Sequence, residues 1–235
     1  MPLVAPIFRP ALILVDVQED FCPPNGSLAV HEGRDIVPVL NDLLKLPFVL
    51  KIATKDHHPP DHVSFASNHP GATPFVSTTT IANPANPAET YETQLWPVHC
   101  VVGTPGNELL PELDHARIDA VIHKGTDPRI EMYSAFRSPL RDPPLASAVT
   151  DLEERLRAAD VTDVFVVGLA GDFCVVSSAL DAAQLGFATY VVEEGQRCVG
   201  GVEGWAKTRA QLEEKGVRVV HADGPEIEAV KALRL

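Results

Sequence analysis

The chain has 235 residues, long enough for one large α/β domain with a full core, and its 45% hydrophobic and 22% charged content is that of a soluble globular protein. A formal net charge of -13, with the nineteen Lys and Arg scattered, argues against a nucleic-acid partner, which needs clustered cations. No apolar run approaches the roughly 20 residues of a membrane helix, and the short N-terminal run carries Asp16, so neither a membrane role nor a signal peptide is expected.

A cytoplasmic location follows as an expectation. The four cysteines, Cys22, Cys100, Cys174 and Cys198, lack CxxC spacing and are read as reduced thiols.

In chain order, ALILVDV (11–17) predicts a first strand with Asp16 at its carboxyl end, followed by a helix over 35–46. FVLKIAT (48–54) predicts a second strand leading to Asp56 and His58. Residues 66–94 are rich in Pro, Thr and Asn without a clear period, and are expected to form an insertion that folds over one edge of the site. A helix is predicted over 106–115, and DAVIHKG (119–125) predicts a third strand ending at Lys124. After a helix over 151–159, DVFVVGL (163–169) predicts a fourth strand leading into Cys174 and a helix over 173–185. FATYVVE (187–193), a helix over 203–215, VRVVHA (217–222) and a helix over 225–233 complete the pattern. Strands apolar on both faces and separated by helices predict a single domain over 1–235. Its core would be one doubly wound, mostly parallel six-stranded α/β sheet with helices on both faces. Ligands in such sheets bind beyond the carboxyl ends of the strands.

That rim carries the chemistry. Cys174 follows a tight strand-to-helix turn, where free backbone N–H groups and the helix dipole favour thiolate and can bind an oxyanion; the alternative is a buried structural cysteine. Asp16 sits where a carboxylate needs a partner, as a general base with a pKa raised by burial or as a turn former. Lys124 would lower the thiol pKa if it stands near both, and is otherwise a surface lysine. Between a free thiol near 8.5 and a free carboxylate near 3.9, proton transfer starts about 6 kcal/mol uphill. In TKDHHPPDHVSF (54–65), period-two alternation puts Asp56 and His58 on one side and His57 on the other. With His99 they would leave positions open on a catalytic divalent ion; His57 or His62 could instead be a ligand or a neighbour of one. Phe21, Trp96, Tyr133, Phe136 and Phe173 flank the same segments and could wall a flat ring or serve the core.

VDVQEDF, TKDHHPPDHVSF, LWPVHCVVGTPG, HKGTDPRIEMYSAF and GLAGDFCV, in this order and spacing, resemble the nicotinamidases of the isochorismatase-like cysteine hydrolase superfamily over roughly 11–222. The insertion looks like that of fungal members. The resemblance implies a catalytic triad of Asp16, Lys124 and Cys174, and metal ligation by Asp56, His58 and His99, usually to zinc (Zn2+). It implies a pyridine pocket lined by Phe21, Trp96, Tyr133 and Phe173. The Leu169–Ala170 peptide aligns with a bond that is cis in the family, turning the Ala170 and Cys174 N–H groups toward an oxyanion. His57 and Phe173 depart from the family pattern, which commonly has an aromatic at the first position and often Tyr at the second.

The implied activity is hydrolysis of nicotinamide to nicotinate and ammonia through a cysteine thioester, in NAD salvage. The metal would orient the ring nitrogen, and water activated by Asp16 or delivered from the metal would release the acid. A related amidase with another small amide substrate, or a silent small-molecule binding protein, are the competing readings. Charge and family habit leave every assembly from monomer to homo-oligomer open.

Overall fold

The computed structural model describes residues 8–234. Six strands form one all-parallel sheet: β1 (Pro10–Val15), β2 (Leu50–Asp56), β5 (Ala120–Lys124), β6 (Asp163–Leu169), β7 (Ala188–Arg197) and β8 (Arg218–Val220), in the order β5-β2-β1-β6-β7-β8. The order reverses direction between β1 and β6, the switch point where a doubly wound sheet leaves a crevice outside its carboxyl ends.

β1 and β6 are central and buried throughout, because helices cover both faces. Side chains alternate between two cores. Leu12, Leu14, Phe165 and Val167 pack with α1 (Val37–Leu44) and α5 (Pro225–Lys231). Ala11, Ile13, Val15, Val164 and Val166 pack with α2 (Leu152–Ala158), α3 (Val176–Gln184) and α4 (Gly201–Glu214). Proline stands in the first turn of α1 and of α5, where a missing N–H is harmless. The edge strand β5 leaves Val121 exposed, as a strand covered on one face allows.

Two segments differ from expectation. Residues 106–115 form no α-helix: a short 3-10 turn (Pro105–Asn107) is followed by Leu109 bridging Gln18 and by the Leu110 N–H donating to Val17 O. Pro111 lacks the N–H an α-helix would need there, and the buried Asn107 side chain bonds backbone instead. Residues 66–94 contain regular structure, an antiparallel hairpin of β3 (Thr78–Asn83) and β4 (Asn86–Gln94). No helix among the described residues is long and apolar enough to cross a membrane.

Candidate active site

Asp16 lies just past β1 in a left-handed conformation, φ 48°, which Asp tolerates better than most residues. Beneath it, Gln18 ties the ends of β1 and β2: its Nε2 donates to the Asp56 and Asn107 carbonyls, each at 2.9 Å, and its Oε1 accepts from the Asp56 N–H at 2.8 Å. Across the switch point, β6 runs into a single π turn, Gly171–Val175, which carries Cys174 and continues as α3. The helical segment thus begins two residues before the expected 173. The Leu169–Ala170 peptide at its entrance is cis, and Ala170 O accepts from the N–H groups of both Phe173 and Val175.

Lys124, at the end of β5, joins these pieces. Its fully buried ammonium is 2.9 Å from Asp16 Oδ2, 2.5 Å from Asp56 Oδ1 and 3.5 Å from Cys174 Sγ, and donates to Met132 O at 3.1 Å. Asp16, Asp56 and Cys174 offer ligand atoms within 4.8 Å of one another, and the ammonium takes the cation's place among them. The contact between Lys124 and Asp16 Oδ2 is an ion pair without a directed hydrogen bond. That oxygen remains free to accept a proton.

Burial pushes the Asp16 carboxyl up to about 6, against the pull of Lys124. Burial alone would neutralise Lys124, but Asp16 and then Asp56 outweigh it and hold the ammonium charged. The thiol departs from expectation: burial raises Cys174 well above the usual cysteine range, and Lys124 only moderates this while Asp16 and Asp56 add to it. A desolvated sulfur beside two carboxylates keeps its proton, so the resting pair is a neutral thiol facing an ionisable acid.

Asp56, His58 and His99 are buried and offer ligand atoms within 4.8 Å of one another. His58 Nδ1 meets Gly125 O at 2.8 Å and His99 Nδ1 meets Pro97 O at 2.8 Å, which places the proton on Nδ1 and frees each Nε2 as a ligand. His58 Nε2 is buried without a hydrogen-bond partner, 3.7 Å from Asp56 Oδ2. An orphaned nitrogen facing a carboxylate fits a divalent cation. Burial disfavours the charged form of His58, but Asp56 raises its pKa; Asp56 itself is held well below the usual range by Lys124 and His58 against burial. Burial and then His58 lower His99 to about 4.

The two other histidines are otherwise engaged. His57 points away, bonding Asn107 Oδ1 through Nδ1 at 3.0 Å and stacking on His123 at 4.0 Å. His62 stacks on His58 at 4.0 Å, with its nitrogens taken by Ser64 Oγ at 2.8 Å and Ile130 O at 3.1 Å; burial and the neighbouring His58 lower it to about 2.

A narrow cavity joins the two clusters, with Asp56, His99, Ala170 and Cys174 all reaching its wall. Phe21, Trp96, Tyr133 and Phe173 line it, Phe173 meeting Trp96 edge-on at 4.8 Å. Phe136 instead fills the core. Sequence reasoning missed Leu28, Glu131 and Val199 on this wall, and Thr54 behind Asp16. Glu131 is buried, its carboxyl raised by desolvation, and accepts from the Met132 N–H at 2.8 Å. It lies within a quoted motif, but no spacing marked it. The hairpin reaches the same wall: Tyr91 donates to Glu131 O at 2.5 Å, and Thr93 Oγ1 meets the Tyr133 hydroxyl at 2.9 Å.

Sulfur, carboxylate and ammonium converging at the switch point define a doubly wound α/β protein with the parts for nucleophilic chemistry beside an aromatic cavity. The chain belongs to the isochorismatase domain family, which matches residues 10–223. It is 40% identical over 189 residues to a nicotinamidase of Acinetobacter baylyi, covering 80% of this chain and 81% of that one. Yeast nicotinamidase bound to the inhibitor nicotinaldehyde superposes with a TM-score of 0.82 at 32% identity, over 90% of this chain and 99% of that one. The Pyrococcus horikoshii pyrazinamidase in complex with zinc gives 0.69 at 31% identity, over 91% and 99%.

Proposed function

We propose that this protein is a nicotinamidase, hydrolysing nicotinamide to nicotinate and ammonia through a thioester on Cys174, in salvage of the pyridine ring for NAD. One observation carries the reading: Cys174 and the Asp56 and His99 side chains line the same aromatic cavity, so a flat ring would meet sulfur along one edge and a metal along another. The named relatives support the same substrate.

Asp56, His58 and His99 would hold one divalent ion, zinc by analogy with the pyrazinamidase neighbour, and when bound it would supply an electrophile for the ring nitrogen. Phe21, Trp96, Tyr133 and Phe173 clasp the ring faces, which fixes the carboxamide before chemistry begins. The ionised Asp16 takes the Cys174 proton as sulfur attacks the carboxamide carbon, so thiolate charge never rests in the buried site. Lys124 balances the charge passing between them. The N–H groups of Ala170 and Cys174 receive the oxyanion. Asp16 returns its proton to the departing nitrogen, ammonia leaves, and the thioester remains. Asp16 then takes one proton from an entering water; the water oxygen bonds to the acyl carbon, the carbon–sulfur bond breaks, and Asp16 returns that proton to sulfur. The nicotinic acid released gives its remaining acidic proton to solvent or ammonia to become nicotinate.

Ammonia release from nicotinamide, with and without a chelator, tests the substrate. Cys174→Ala tests the covalent step: turnover is lost, while calorimetry still detects nicotinamide binding to the metal-loaded variant. Near-normal turnover in that variant ends the thioester scheme.

A further inference from the structure

The catalytic turn is gripped from outside by the end of β7. Pairing of β6 with β7 passes from Val166↔Val191 to Gly168↔Gln196, so β7 spends extra residues on a bulge and returns beside the last residues of β6. Such bulges re-aim a strand end. Gln196 and Cys198, both buried, close against the backbone of the π turn at Gly171, where an added Cβ would stand 2.1 Å from Gln196 Oε1 and 2.7 Å from Cys198 Sγ. One residue on, the Asp172 carboxylate leaves the turn and accepts from the Val199 N–H at 2.9 Å and the Gly200 N–H at 2.8 Å. These N–H groups lead into α4, whose first turn has no side-chain cap of its own, so Asp172 supplies acceptors at a helix start that favours negative charge.

The pinned residue matters because Val199 lines the same cavity as Cys174 and, at 38% exposed, stands at its rim, whereas the aromatic wall Trp96 is 3% exposed. The nucleophile and this rim belong to different βα units, and the Asp172 side chain hydrogen-bonds the turn of one to the backbone of the other.

We infer that Asp172 is a positioning residue that sets the Val199 rim against Cys174, and that Val199 governs how tightly the cavity closes on a small ring. This rests on the nicotinamide reading for its substrate but not for its geometry. Asp172→Asn keeps the size, loses one acceptor and presents an amide donor to an N–H; Asp172→Ala removes both bonds; Val199→Ala keeps both and removes the wall.

The test measures kcat and KM for ammonia release from nicotinamide and, separately, the rate at which iodoacetamide alkylates Cys174, located by peptide mass. Asp172→Asn is expected to raise KM about tenfold, the scale of one charge-assisted bond, with kcat little changed and Asp172→Ala larger. Val199→Ala raises KM as well, and the double variant falls short of the sum by more than about twofold, because both act through one wall. Alkylation quickens in the same order. Unchanged KM and alkylation, a fall in kcat at constant KM, or full additivity each overturns the inference. Should Asp172→Ala fail to fold, Asp172→Asn and Val199→Ala carry the test. Should wild type release no ammonia from nicotinamide, the substrate reading fails while the alkylation series still decides the positioning role.

Discussion

The Thr54 hydroxyl donates to Asp16 Oδ1 at 2.6 Å, and its oxygen accepts from the Asp16 N–H at 3.2 Å. With Oδ1 held by this pair, Oδ2 faces the Lys124 ammonium. The bond favours the ionised form and lowers an Asp16 pKa that burial has raised to about 6. Because the scheme needs Asp16 ionised, activity should rise with pH through that titration. Thr54→Val is expected to move the acid limb of kcat/KM upward by about one pH unit, since one lost bond to an anion is worth about one pKa unit. The rate at pH 6 should then fall more than the rate at pH 8. A limb that stays put or moves down in the pH profile shows that Thr54 does not tune the base.

Asp16, Lys124 and Cys174 were legible because apolar runs mark where strands end, and a parallel sheet brings those ends to one rim. Asp56, His58 and His99 needed the resemblance as well: alternation along the strand favours Asp56 and His58 over His57 but leaves His62 open, and the fold engages both of these rings elsewhere, with Asn107, Ser64 and Ile130 O. The β3–β4 hairpin was hidden because its only fully buried residues are Ile81, Asn83 and Thr93, too few to make an apolar alternation. Thr54, Asp172 and Val199 act across segments far apart in sequence, so no local pattern marks them. The thiol pKa was misjudged for an energetic reason: the depth of Cys174, which decides against Lys124, belongs to the packed fold.

His99→Ala is the cleaner probe of the metal cluster, because Asp56→Ala would also strip Lys124 of a carboxylate 2.5 Å away. Bound metal, measured by atomic emission after dialysis, should fall with affinity lost by more than about 100-fold, beyond what neighbours of ligands usually contribute. KM for nicotinamide should rise in step, and chelated wild type should behave alike. Unchanged metal content would show that the ligands lie elsewhere.

Tyr133 links the hairpin to the aromatic wall: its hydroxyl accepts from Trp96 Nε1 at 3.0 Å and meets Thr93 Oγ1 at 2.9 Å. Tyr133→Phe leaves the buried indole N–H without this partner, and KM should rise about tenfold, the scale of an unsatisfied donor. Thr93→Val should have a smaller effect, and the double variant should match Tyr133→Phe alone. Additive effects in the kinetic cycle would mean that the hairpin does not act through Tyr133.

The approach of β1 to β6 at the switch point sets the distance between Asp16 and Cys174, and it depends on Gly168. Its φ is +117°, and an added Cβ would stand 2.0 Å from Val15 O. Val15 pairs with Gly168 in the register of two central strands, so the carbonyl cannot retreat without moving β1 and Asp16 with it. Gly168→Ala should therefore lose more than about 3 kcal/mol of stability in urea unfolding, combining backbone strain with overpacking. The fraction that folds should lose kcat more than substrate affinity, because the base moves away from sulfur while the aromatic wall on the other segments stays in place. Wild-type stability together with wild-type kcat would mean that the two strands do not meet this closely.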